Sequence, residues 1–279
     1  MITALLAGAA LWPSPVEASV AAPFTHQVLV FSRTTGFRHD SIPDGIAMLQ
    51  QIGRERGWTV DVTEDSEWFT KDRLARYETV VFLCTTGDVL NDAQQTDFEA
   101  FVRGGGGYVG IHSASDTEYG WAWYGQLVGA YFASHPAVQR ATVRIEEAKH
   151  PTVRHLPNPW QRVDEWYDFR TNPRGQVSVL ASLDPASYQG GRMPDDHPVI
   201  WAHERFGGRA WYTAMGHTRG SYREPHYMRM LAEAVNWTMR RPAGKSATPR
   251  GGGAPTLRFP PTVPDRSSAP APLQCLLCF

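Results

Sequence analysis

The chain changes its hydrophobic rhythm twice. Residues 26–32 (HQVLVFS) form an unbroken, β-branched apolar run and predict a strand, whereas Ile42, Ile46, Leu49 and Ile52 recur at three- and four-residue spacing and predict a helix over residues 41–57. Asp40 or Ser41 can cap that helix, Pro43 suits its first turn, and Gly57 stands where a helix ends. WTVDVTED (58–65), ETVVFLCTT (78–86) and YVGI (108–111) read as three further strands. NDAQQTDFEAFVRGGG (91–106) reads as a helix with Asn91 as cap and glycines as stop, and TKDRLARY (70–77) as a helical turn. Strands that are apolar throughout and alternate with helices predict an α/β domain, a doubly wound and mostly parallel sheet covered on both faces.

After Trp121 the rhythm becomes alternating and rich in aromatic residues. AVQRATVRIEEA (137–148), WQRVDEWYDFR (160–170), QVSVLASL (176–183) and HPVIWAHERFGGRAWYTAMGH (197–217) predict antiparallel hairpin additions in the second half, the last turning at residues 206–208. A closing helix, PHYMRMLAEAVNWTMRR (225–241), turns Met230, Leu231, Ala234 and Trp237 toward the sheet, which bounds the domain at residues 25–241. Residues 1–24 carry an apolar run followed by Pro and small residues such as Ser19 and Ala21, yet no Lys or Arg precedes Arg33. They read either as a signal peptide, with export to the periplasm or beyond, or as a disordered start on a cytoplasmic protein. Residues 242–279 are rich in Pro, Gly and Ser and read as a disordered tail, ending in a Cys275/Cys278 pair too isolated to define a metal or redox site. Cys84, inside an apolar run, reads as a core thiol.

Twenty-seven basic against 28 acidic residues give a net charge of −1, which supplies no field to draw nucleic acid or an anionic membrane. No apolar stretch is long enough to span a bilayer, so a small-molecule ligand is expected. In a sheet of this kind ligands bind beyond the carboxyl ends of the strands. The polar residues there are Arg38, His39 and Asp40 after the first strand, Thr85, Thr86 and Asp88 after the third, His112, Ser113 and Asp116 after the fourth, and His217 and Thr218 after the last. Three imidazoles, of His39, His112 and His217, should therefore share one rim. The turn after YVGI has the form of a nucleophile elbow, with His112 expected exposed at its tip, placed to move protons or bind a metal. In RVDEWYDF, strand alternation would send Glu165 and Tyr167 to one side and Asp164 and Trp166 to the other. Glu165 beside the imidazoles would make a tuned base or complete a His/carboxylate site for a divalent cation. Blander readings stand beside these: Asp116 as a helix cap, His39 as part of the first helix start, Glu165 paired with Arg162 or Arg170, and His135 and His197 as turn residues before proline.

Taken together, GFRHDSI, GGGGYVGIHSASDT, DEWYDF, HPVIW and GRAWYTAMGHT make residues 27–241 resemble the trehalose-utilisation (ThuA-like) family, a branch of the class I glutamine amidotransferase-like superfamily. The resemblance implies a flavodoxin-like architecture and carbohydrate chemistry. His112 occupies the position of the amidotransferases' catalytic cysteine, which excludes thioester-based glutamine hydrolysis. The expected catalytic set is His112, His217, Glu165, His39 and Asp116, acting on a disaccharide or 3-keto-glycoside. A base such as His112 or Glu165 would take the proton beside the ketone. The enediolate would be stabilised by His217, His39 or a divalent metal, zinc or manganese, on His39, His112 and His217. Arg38, Thr86, Trp166, Tyr167 and Tyr222 are expected to touch substrate, with further stacking faces at Trp121, Trp123 and Tyr124, whereas Trp201, within a regular element, is expected to pack in the sheet. A non-catalytic carbohydrate-binding or scaffold domain on the same fold is the alternative, and a metal-dependent hydrolase of unrelated substrates a third.

Overall fold

A computed structural model describes residues 26–239; the N-terminal leader and C-terminal tail expectations, with Cys275 and Cys278, lie outside the described residues. In chain order the elements are β1 (His26–Phe31), α1 (Ile42–Arg56), β2 (Trp58–Thr63), α2 (Lys71–Leu74), β3 (Thr79–Leu83), α3 (Asp92–Arg103), β4 (Gly107–Ile111), α4 (Ala122–Val128) and β5 (Phe132–Ser134). There follow β6 (Gln139–Ile145), β7 (Trp160–Asp164), β8 (Asp168–Phe169), β9 (Ser178–Leu183), β10 (His197–His203), β11 (Ala210–Thr213) and α5 (Pro225–Met239). Nine strands form one sheet in the order β2-β1-β3-β4-β11-β10-β9-β6-β7, and β5 pairs with β8 apart from it. The first five run parallel in the 2-1-3-4-5 order of flavodoxin-like sheets. From β10 outward every pairing is antiparallel.

The burial pattern explains this division. β3 and β4 are buried at every residue, as strands between two helical layers must be, whereas β7 alternates buried and exposed at the sheet's edge. With the right-handed crossovers general to such folds, the strand order puts α1 on one face and α2 and α3 on the other; α2 contacts α3, and α5 contacts α1. Asn91 caps α3 in a reciprocal box with Gln94, and Gly57 ends α1 at φ 71°. The start of α1 departs from expectation. Ser41 makes no side-chain cap and instead donates from Oγ to the Gly216 carbonyl at 3.1 Å, joining the loop after β1 to the loop after β11.

The segment WQRVDEWYDFR is not one alternating strand. β7 stops at Asp164, and the chain crosses through residues 165–167 before β8 joins β5. The strand thus ends before Glu165, yet Glu165 and Tyr167 still fall on the cleft side while Asp164 and Trp166 are buried away from it, the division that alternation predicted.

Candidate active site

The imidazoles meet because each follows a parallel strand whose position in the sheet is fixed. His39 lies after β1, His112 directly after β4 and His217 four residues after β11, and β4 is the parallel neighbour of β11. Glu165 arrives from the far edge, where β7 leaves the sheet. One ligand-capable atom each from His39, His112, Glu165 and His217 lies within 4.8 Å of all the others. The ring centroids are 4.7 Å (His39–His112), 5.2 Å (His39–His217) and 5.4 Å (His112–His217) apart.

His112 adopts φ 53°, the left-handed backbone of an elbow, and so far matches the sequence reading. It is not exposed, however. Its relative exposure is 0 %, because Tyr167 lies over the ring at 4.2 Å and Glu165 and His39 close the remaining sides. Nδ1 sits 2.7 Å from the Ala214 carbonyl, which can only accept, so Nδ1 carries a hydrogen and, in the neutral ring, Nε2 holds a lone pair. That Nε2 is buried without a hydrogen-bond partner, 3.5 Å from Glu165 Oε2. His217 Nδ1 comes within 3.1 Å of the same oxygen but off the line of a hydrogen bond, and it too is buried without a partner. Two unsatisfied ring nitrogens converging on one carboxylate oxygen form a donor set for a cation. Nitrogen and oxygen donors bind zinc at about 2.0–2.2 Å, so they need close on a common centre only slightly from these positions.

The local charges agree. Burial, reinforced by His112 and His217, pushes the His39 pKa down to about 3, which keeps that ring neutral and able to coordinate. Burial alone would raise Glu165, but His112 and His217 against it prevail and hold the carboxyl well below its usual range. Glu165 in turn raises His217.

Behind the cluster, Asp164 ties two loops together. Its fully buried carboxylate accepts from the backbone N–H groups of Gly216 (3.1 Å) and His217 (3.0 Å), from Ser221 Oγ (3.0 Å) and from Arg162 (3.2 Å). Gly216 has φ 127°, and a Cβ there would stand 2.7 Å from the Tyr227 hydroxyl, so no other residue fits this turn comfortably. Arg162 pairs with Asp164 and Glu224, which leaves Glu165 free to face the imidazoles.

A cleft of about 290 Å³ opens onto the cluster, lined by Phe37, His39, Asp116, Phe132, His135, Glu165, Tyr167 and His217. Asp116 is a cleft residue as expected. Its carboxylate accepts from the Tyr119 hydroxyl at 2.6 Å, and burial raises its pKa. Of the residues expected to touch substrate, only Tyr167 lines the cleft. Trp166 is fully buried with its indole N–H on the Gln139 carbonyl, and Tyr222 is buried beside Cys84 and α5. Thr86 is buried and donates to the Phe37 carbonyl, while Arg38 points outward to Glu64. Trp121, Trp123 and Tyr124 pack within the domain and do not line the cleft either, and Trp201 is a core residue as expected.

Three cleft residues escaped the sequence reading. His135 faces Glu165 Oε1 at 3.1 Å, on the opposite oxygen from His112 and His217. Phe132 and Phe37 form aromatic walls. His135 and Phe132 sit in or beside the short β5 ribbon, for which alternation gave no signal. His197 is a positioning group, its Nε2 against the Tyr167 carbonyl at 2.8 Å and its Nδ1 against the Tyr188 hydroxyl at 2.6 Å.

A family model described as trehalose utilisation (ThuA) matches residues 27–238. Among solved structures, a putative ThuA-like protein of Bacteroides uniformis ATCC 8492 superposes with a TM-score of 0.68 at 22% identity, over 80% of this chain and 95% of that one. A second, from Parabacteroides merdae ATCC 43184, gives 0.63 at 19% identity over 78% and 90%. A β-galactosidase from Bacillus circulans sp. alkalophilus gives 0.51 at 13% identity over 76% of this chain and 31% of that one. At these identities the likeness is one of fold. No curated protein matches the chain.

Proposed function

Since the chain belongs to the ThuA, or trehalose-utilisation, family, we propose that it is an enzyme acting on a carbonyl-bearing sugar, such as a 3-keto-glycoside, by acid–base chemistry beside a divalent cation. The observation that carries this reading is the convergence of His39, His112, Glu165 and His217 within 4.8 Å, with the His112 Nε2 lone pair buried and unsatisfied against a carboxylate. A lone pair facing an anion at a buried position is unfavourable unless a proton or a metal cation lies between them, and metal analysis distinguishes the two. Zinc or manganese suits an imidazole and carboxylate set, and when bound supplies Lewis acidity toward a sugar carbonyl or enediolate oxygen.

The chain's own residues do the rest. His112 keeps its tautomer through Ala214, and Asp164 holds the His217 backbone in place. Asp116, with its pKa raised by burial and one oxygen held by Tyr119, faces the cleft as the group that takes a proton from the carbon beside the ketone and returns it to the leaving oxygen. Phe132 and Tyr167 exclude water and offer flat faces to a ring. A volume of 290 Å³, at the lower end of the ~300–1,000 Å³ usual for small-molecule sites, accommodates one sugar ring beside the cluster.

One observation favours a second reading, a carbohydrate-binding domain with a structural cation: His112 is wholly buried and cannot touch a ligand. Elemental analysis of protein purified without chelator, followed by assay on 3-keto-trehalose, separates the two. The enzyme reading expects about one zinc or manganese per chain, lost in Glu165→Gln and His217→Ala, and turnover lost in Asp116→Asn with the metal retained. Bound metal and sugar without turnover in the wild type would favour the binding domain, and a chain that takes up no divalent cation would remove the metal-centred chemistry.

A further inference from the structure

Phe37 is the most solvent-exposed large hydrophobic residue among those described, with 66 % of its surface open to water. An isolated exposed apolar side chain needs no explanation by itself. This one, however, lines the catalytic cleft and meets His39 edge-on at 4.8 Å. Its backbone is also pinned. Thr35 N–H donates to the Thr86 carbonyl at 2.9 Å, Gly36 N–H to Thr86 Oγ1 at 3.3 Å, and Thr86 Oγ1 to the Phe37 carbonyl at 2.9 Å. Thr35 Oγ1 adds a bond to the Asp88 carbonyl at 3.2 Å. A loop tied this closely to the turn after β3 holds the ring out at the cleft mouth.

The ends of the cleft differ. His39 and Glu165 are buried at the inner end and Phe37 is the most exposed of the lining residues, so a two-ring ligand with one ring beside the imidazoles carries its second toward Phe37. Among the described residues no Lys or Arg lines the cleft, and the neighbouring Arg38 is engaged by Glu64 at 2.6 Å, so these residues offer no free cation at the mouth for a phosphate or a uronate. An aromatic face without a companion charge suits the C–H face of a neutral pyranose.

We propose that Phe37 is the platform of an outer subsite that stacks the second, uncharged ring of a disaccharide while the first ring occupies the cleft. The assignment rests on the carbohydrate reading above. It makes Phe37 a residue that sets preference for two-ring over one-ring ligands, with no part in the proton chemistry.

The test is calorimetric binding of trehalose and of glucose to the wild-type chain, Phe37→Ala and Phe37→Trp. Because the ring is exposed, neither substitution should alter folding, and thermal melts check this. The expected result is trehalose affinity weakened about 3- to 10-fold in Phe37→Ala, the size of an aromatic face contact. Glucose affinity should stay within twofold of wild type, and Phe37→Trp should restore trehalose binding. Equal weakening for both sugars, or none for either, overturns the outer subsite while leaving the carbohydrate reading intact. A wild-type chain that binds neither sugar overturns the outer subsite, and the assay on 3-keto-trehalose decides the carbohydrate reading separately.

Discussion

The two halves of the sheet contribute to the site in opposite ways. The parallel half brings His39, His112 and His217 together from the loops at the carboxyl ends of adjacent or near-adjacent strands, so their meeting follows from strand order alone. The antiparallel half supplies Glu165, Tyr167, Phe132 and His135 from the place where its regularity breaks, between the edge of the large sheet and the small β5–β8 ribbon. One half sets the cluster's position; the other decides what covers it and what carries its negative charge.

The strongest way to break that division is to cut the contact between the halves. Asp164→Asn removes the charge that Arg162 faces and weakens the hold on the Gly216 and His217 N–H groups. Removing one partner of a buried pair costs about 3–5 kcal/mol, and Glu224, still paired with Arg162, should keep the loss near 3 kcal/mol. Urea unfolding gives the stability, and metal affinity should fall with it if the loop after β11 depends on the edge strand. A Asp164→Asn chain of unchanged affinity would show that the parallel half holds its imidazoles unaided.

Acid should act on both halves at once in the metal-free protein. Burial lowers His39 to about 3, and His150 and His203, outside the cluster, to about 4. Their unfolded values lie near 6.5, so below about pH 6.5 the unfolded chain binds protons that the folded chain refuses. The contribution of these three groups is therefore greatest above pH 6.5 and is lost as pH falls toward 4, by up to about 1.4 kcal/mol per pH unit for each, while His217, raised by Glu165, opposes them with a single group. Urea midpoints at pH 7, 6 and 5 measure this slope, and His203→Gln should make it shallower.

The smallest effect belongs to the covering half. His135 is exposed, with polar contacts to Glu165 Oε1 and its own neighbour's carbonyl and loose ring contacts to Phe132 and Tyr167, so His135→Ala should change stability by less than about 0.5 kcal/mol. Metal content should be retained and turnover reduced about tenfold, read from metal analysis and kcat on the same preparation. Loss of the metal in His135→Ala would place this residue in the cluster and blur the comparison.

The same contrast explains what could be read from the sequence. Continuous apolar runs identified the parallel strands and, through the strand-end rule, His39, His112 and His217. Glu165 was found through its neighbours' chemistry, and alternation grouped it with Tyr167 on the cleft side even though β7 ends one residue before it. The buried state of His112 was not legible, since Tyr167 reaches it from a segment 55 positions along the chain. Phe37, Phe132 and His135 carry no periodic signature, being placed by loop geometry. Trp166 and Tyr222 looked like ligand contacts only because aromatic type says nothing about which way a ring faces.

Because the chain peels away at Asp164 to form a separate ribbon, the roof over the imidazoles hangs from the domain's rim and not from its centre. Such an attachment is modular: relatives could lengthen, shorten or exchange the ribbon and so retailor the accepted substrate, while the costly central framework is inherited unaltered.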